Sequence, residues 1–311
     1  AYGSVAMADS IRQLAARGAR VIVDDVTQLD EPFYQDGVVA AAIAQVRRAG
    51  VVYVSAVGND QRWLGGHAVG SYETMAFRST ACPAPVAAYL ERPIVCHDFS
   101  TTGADPTYDV RSAGEVTYHL GWDEPQFGVR TDLDLCLYDD LGNFACGAED
   151  SVGLGLARET VGTTLTGPLH LVVTAPATTQ TPGPRFKLIA ARSDLAEVEY
   201  RRSSGTDIVG PSAYGHPVSR AAIAVGAVAA TQLDQVRTYS SKGPAQVCWG
   251  PVVSTRPAER LPSCQTSTVD LVAVDGVATS FFNQPEAGTW RFYGTSAAAP
   301  HVAAAAALLL S

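Results

Sequence analysis

Two apolar, β-branched runs flank an amphipathic stretch near the start of the chain, and few folds accept that succession. "ARVIVDDV" (19–26) is nearly unbroken, "DGVVAAAIAQVRRAG" (36–50) carries apolar residues at helical spacing and stops at a glycine, and "VVYVSAVG" (51–58) is apolar again. A strand without polar alternation has to be covered on both faces, which is the condition of a parallel sheet. The spacing predicts a parallel βαβ unit with a right-handed crossover. A helix is predicted ahead of it over "DSIRQLAARG" (9–18), from its polar cap, its Ile11 and Leu14 side and its terminal glycine. Functional groups of such sheets gather at the carboxyl ends of the strands. Here those ends hold Asp24, Asp25, Asn59 and Asp60.

Between about Asn59 and His97 the pattern dissolves into a long polar connection, and from about Asp98 the period changes. "EVTYHLGW", "DLDLCLY", "LHLVVTA" and "RFKLIAA" are short alternating or apolar runs separated by turn residues. In "TDLDLCLYDDLGNFAC" (131–146), Leu133, Leu135 and Leu137 face one way, Asp132, Asp134 and Cys136 the other, and "DDLGN" is the turn of a hairpin. The α/β pattern returns at "SRAAIAVGAVAA" (219–230). These observations predict an α/β, three-layer parallel-sheet domain in two parts, 1–97 and 197–311, with an antiparallel β-sandwich inserted over 98–196.

At 311 residues the chain has ample core, and 47% hydrophobic against 17% charged residues points to a globular protein. A net charge of −9 argues against a nucleic-acid partner. No apolar run reaches the roughly 18 residues of a membrane span, and no basic-apolar leader opens the chain. The six cysteines admit about 15 pairings. Sequence-local pairing, Cys82 with Cys96, Cys136 with Cys146 and Cys248 with Cys264, is expected because each closes a turn-rich loop. An even count in such loops points to a secreted or extracytoplasmic protein; reduced, partly buried thiols are the alternative. No C-x-x-C spacing suggests zinc.

"GTSAAAPHVAAAAALLL" (294–310) places Ser296 where a helix of strong helix formers begins, close to Pro300. Free N–H groups and the positive end of the helix dipole suit a serine whose neighbourhood must accept negative charge. The plainer reading is a capping serine on a buried helix.

Four stretches in order resemble the second half of a subtilisin-like serine peptidase. "VVYVSAVGND" resembles the strand that delivers the oxyanion-hole asparagine, here Asn59 after Gly58. "AAIAVGAV" resembles the core strand that follows. "YSSKGP" and "VDLVAVDGV" resemble the Ser-x-Gly-Pro and Asp-x-x-Ala-Pro-Gly turns, although Val274 and Asp275 stand where proline is usual. "GTSAAAPHVA" is close to the motif around the nucleophile, here Ser296. The resemblance implies peptide-bond hydrolysis through an acyl-enzyme on Ser296, with Asn59 as oxyanion donor and a protein or peptide as substrate. It implies no cofactor; structural calcium, common among such enzymes, stays open, and no ligand cluster here is distinctive enough to assign a metal site.

The strand "VIVDDV" corresponds in this resemblance to the one that pairs with substrate and borders the specificity pocket. Asp24 or Asp25 could favour a basic side chain, could interact with the catalytic base as carboxylates do in the related sedolisins, or could cap the following turn. The usual aspartate and histidine precede the part of the family that this chain resembles, and nothing in 1–29 matches either. Of the six histidines, His301 lies on the nucleophile helix, His119 and His170 on sandwich strands, and His67, His97 and His216 in loops, His216 with an expected structural role. A fragment whose Asp and His or Glu lie upstream is therefore expected. The competing reading is a catalytically dead, subtilase-like binding or cell-surface protein; an esterase is disfavoured by the absence of a G-x-S-x-G elbow. Trp122 with "DLDLCLYDDLGN" resembles the core of bacterial pre-peptidase C-terminal β-domains, which implies an accessory role for the inserted segment.

Overall fold

A computed structural model of the protein describes residues 3–191, 193–281, 285–286 and 288–311. Helix α1 (Gly3–Ala16), strand β1 (Val21–Asp24), helix α2 (Val38–Arg48) and strand β2 (Val52–Ala56) open the chain. Strands β3 (Ile223–Ala229) and β4 (Leu271–Asp275) and helix α3 (Thr295–Leu309) belong to the same layer system, to which Gln232–Val236 adds an antiparallel strand beside β3. The four strands are parallel in the order β1-β2-β3-β4, in register from Val21 opposite Val52, Ile223 opposite Val54 and Val225 opposite Leu271. The carboxyl ends of β1, β2 and β4, with Asp24, the Gly58–Asn59 turn and Asp275, therefore share one edge.

Alternation along the strands builds two cores. Ile22 and Tyr53 pack with Met7, Ile11, Val39, Ile43 and Val46 of α1 and α2. Val54, Ala56, Val225 and Ala227 pack with Ala298, Ala299 and Ala303 of α3. Small side chains on both sides let α3 approach the strands closely. Helix α1 begins six residues before its expected start. Its first turn is held from a distance, by Ser4 N–H and Oγ on the Asp30 carboxylate at 3.2 and 2.5 Å, while Asp9 pairs with Arg12 at the surface.

The middle of the chain forms two antiparallel sheets. One carries Phe144–Gly147, Asp134–Tyr138, Gly167–Pro176, Ile94–His97 and Ser79–Thr80, with Tyr108–Ser112 and Leu195–Val198 alongside. The other carries Arg158–Thr163, Val116–Trp122, Phe186–Ala191, Ser71–Thr74 and Ile208–Val209. Leu133, Leu135, Leu137, Leu169 and Leu171 meet Leu120, Trp122, Phe186 and Leu188 in one core. The opposite side of the Asp134–Tyr138 strand is covered as well, by helix Ala84–Leu90 through Val86.

Four of these strands, Ser71–Thr74, Ser79–Thr80, Ile94–His97 and Ile208–Val209, come from outside 98–196. Ser71–Thr74 is polar in sequence, yet all four residues are buried. Distant partners make that possible: Arg185 and the Tyr34 hydroxyl on Glu73, and Asp207 under the Tyr72 hydroxyl. His97 ends a strand instead of lying in a loop. The three sequence-local cysteine pairs lie at disulfide distance, Cys136 and Cys146 facing each other across their hairpin. Among the described residues no helix is long and apolar enough to cross a membrane.

Candidate functional site

Helix α3 starts from a turn that only glycine accepts without strain. Gly294 has φ +110°, and the Cβ it lacks would stand 3.3 Å from Asn59 Nδ2, 3.6 Å from Asn59 Oδ1 and 3.7 Å from the Ser296 backbone nitrogen. One point in space is thus close to two potential donors. Thr295, fully buried, donates its N–H and its hydroxyl to Asn59 Oδ1 at 3.0 and 3.2 Å. With the oxygen so occupied, the amide's Nδ2 is the atom left to donate. Ser296 is half-buried in the first helical turn, where N–H groups have no acceptor within the helix.

Pro300 lies inside α3, well past its first turn. It removes the N–H that would close on the Ser296 carbonyl. His301 turns back and donates from Nδ1 to the Ala297 carbonyl at 2.8 Å.

The Asn59 turn is braced by the segment around Tyr239. Ser241 N–H donates to the Gly58 carbonyl at 2.9 Å, Asp60 N–H donates to the Ser241 hydroxyl at 3.0 Å, and Gln61 N–H donates to the Tyr239 carbonyl at 3.1 Å. Gly58 has φ +101°, with the Ser241 hydroxyl 3.2 Å from its missing Cβ. The turn "YSSKGP" is therefore a support for Asn59.

Asp24 points into the protein. Its Oδ1 accepts from the Val26 N–H at 3.2 Å and the Ser55 hydroxyl at 3.1 Å, and bonds His216 Nε2 at 3.1 Å. The other ring nitrogen, Nδ1, sits 2.6 Å from Glu31 Oε2. His216 is fully buried between these carboxylates. Burial alone pushes its pKa down, but Glu31 and Asp24 outweigh burial and hold it up at about 10. Both ring nitrogens are engaged, so the ring has no free position for a serine hydroxyl. Asp25 is exposed. The partnership of Asp24 with His216 and Glu31 was not readable from sequence, because its members are spread over 192 residues and carry no motif.

A cavity of about 10 Å³ lies against this cluster, lined by Thr27, Gln28, Glu31, Val57, Asp60, Tyr214, His216 and Pro217. That space suits a single water molecule. Larger depressions lie at the amino ends of the strands, near Arg20, Gly50 and Val51 and near Ala222 and Leu271, at the other end of the sheet from Ser296. Among the described residues no group of three or more His, Cys, Asp or Glu is placed to hold a metal ion.

No curated protein gives a significant match to the chain. Residues 200–311, which contain β3, β4, the Tyr239 turn and the Ser296 helix, match the Subtilase family model (Peptidase_S8), which supports a subtilisin-like domain of the serine-peptidase class over that stretch.

Proposed function

We propose that the chain is the nucleophile-bearing part of a secreted subtilisin-like serine endopeptidase. Ser296 Oγ attacks the scissile carbonyl, and its proton passes to a base on a segment upstream of residue 1. The oxyanion of the tetrahedral intermediate is received by Asn59 Nδ2–H and the Ser296 N–H. Collapse expels the amine and leaves an acyl ester on Ser296, which water then hydrolyses. The chemistry calls for no cofactor. The observation that carries this reading is the empty Cβ position of Gly294, near both donors at once.

In this reading 1–97 and 197–311 form the catalytic part and 98–196 an accessory β-domain. Among the described residues β1 pairs on one side only, which leaves an edge for an incoming strand bearing the missing aspartate. Substrate runs beside β1 and the Gly58 turn. Asp25 faces it and favours a basic side chain, while Asp24 acts from beneath through His216.

The test is a fluorophosphonate probe applied to the complete natural protein, with the adduct located by peptide mass spectrometry. Labelling is expected at Ser296 and is abolished in Ser296→Ala. Asn59→Ala is expected to slow it by about 100-fold to 1,000-fold, the loss known for a subtilisin's oxyanion asparagine and carried over here. A complete, folded protein that does not label overturns the proposal in favour of a catalytically dead binding protein.

A further inference from the structure

We propose that Asp275 is a positioning residue for Ser296, acting through the backbone N–H of Gly294; the inference rests on Ser296 being the nucleophile. Asp275 closes β4 where the resembling turn has its Pro-Gly pair, and it is 3% exposed. Its Oδ2 accepts the Gly294 N–H at 3.1 Å and the Tyr239 hydroxyl in a short hydrogen bond. Its Oδ1 accepts from Arg237 Nε at 2.7 Å. Neither proline nor glycine has a side-chain acceptor, so the carboxylate gives the residue that enters α3 a partner that those side chains could not supply.

The contacts close into a ring. Asp275 holds Gly294; the next residue, Thr295, holds Asn59; the Asn59 turn is held by Tyr239 and Ser241; and the Tyr239 hydroxyl returns to Asp275. The two donors that converge near Gly294 are therefore tied to one another by a path that runs through Asp275. Burial and the Asp275 carboxylate both push the Tyr239 pKa up, which keeps its phenol a donor to the ring. A shift of the Gly294 turn by a fraction of an ångström changes the spacing of Ser296 N–H and Asn59 Nδ2, the quantity on which oxyanion binding depends. Asp275 acts through Gly294, Tyr239 and Arg237, so its effect belongs to the limiting rate of acylation, not to ground-state binding.

The experiment compares the complete wild-type protein with Asp275→Ala, Asp275→Asn and Tyr239→Phe. Fluorophosphonate labelling is resolved into a saturation constant and a limiting rate, near-ultraviolet circular dichroism checks the fold, and hydrogen exchange is read at the Gly294 amide. Asp275→Ala is expected to lower the limiting rate on the order of 10-fold to 100-fold at an unchanged saturation constant and to speed Gly294 exchange. Asp275→Asn, which keeps an acceptor, is expected to restore most of both. A folded Asp275→Ala variant that reacts at the wild-type rate overturns the inference alone. A wild-type protein that never reacts overturns the nucleophile reading and takes the inference with it. Should Asp275→Ala not fold, Tyr239→Phe decides: a lower limiting rate supports the proposal and an unchanged one overturns it.

Discussion

His216, clamped 2.6 Å from Glu31 and 3.1 Å from Asp24, gives the fold a pH dependence whose sign can be worked out. Its pKa in the folded protein, about 10, lies above the usual 6.5, so the folded state holds a proton that the unfolded chain has already lost across that interval. The stabilisation is fully present below about pH 6.5 and is lost as pH rises toward 10. In unfolding titrations, the stability gap between wild type and His216→Gln is expected to be widest below pH 6.5 and to narrow by a few kcal/mol toward pH 10. A gap that stays constant between pH 6.5 and pH 10 would show that the folded ring holds no proton the unfolded chain has lost, and would overturn the clamp as its cause. The identity of Gly294, in contrast, is dictated by its own backbone. In Gly294→Ala, strain at φ +110° costs on the order of 1–3 kcal/mol, and the added methyl stands against Asn59 Nδ2 and the Ser296 nitrogen. The variant is expected to fold with a lowered urea midpoint and to lose labelling at Ser296; labelling at the wild-type rate contradicts the donor geometry.

Helix α3 shows how an element is specified by what it packs on. Ala298 and Ala299 are completely buried against Val54, Ala56, Val225 and Ala227, so Ala298→Leu has no room and is expected to cost about 1–3 kcal/mol, read as a lower urea midpoint at an unchanged slope. Elements with such local logic were legible in the sequence. The β-branched runs became β1 and β2, the amphipathic stretch became α2, and the 131–146 pattern became a hairpin. Elements that depend on remote partners were not legible. Ser71–Thr74 is a strand because Arg185, Tyr34 and Asp207 answer its polar groups, and α1 starts at Gly3 because Asp30 reaches Ser4. The same division runs through the candidate site. The Gly-Thr-Ser turn announces itself over a few residues, whereas Thr295 meets Asn59 across 236 residues and Gly294 meets Asp275 from another strand. Periodicity carries no information about such meetings.

At the scale of the whole molecule, the antiparallel sheets and the parallel sheet meet through a buried ionic cluster. Glu73 and Arg185, from the antiparallel part, are 5% and 8% exposed. Arg185 binds Glu73 through Nε at 2.7 Å, lies 4.9 Å over the ring of Tyr34 from the loop after β1, and reaches Gln246 Oε1 at 2.5 Å. Tyr34 donates its hydroxyl to the same Glu73 oxygen, and burial followed by Glu73 pushes its pKa up, which keeps it a donor. Ser71 Oγ adds a 2.6 Å bond to the Pro211 carbonyl on the way to His216. A buried pair of this kind contributes little by itself, because desolvation offsets the attraction, but removing one partner strands a charge. Arg185→Met is therefore expected to cost about 3–5 kcal/mol in equilibrium urea unfolding, and Glu73→Gln combined with Arg185→Met to recover a large part of that loss. Because the cluster ties strands of one part to a loop and a strand of the other, wild type should unfold in a single transition by tryptophan fluorescence and by circular dichroism. If Arg185→Met splits that transition in two while the double variant restores it, the cluster couples the two parts. If the single variant loses stability within one unbroken transition, Arg185 serves only to neutralise Glu73, and the parts are held together by the apolar contacts of Phe33, Tyr214 and Ile189 beside it.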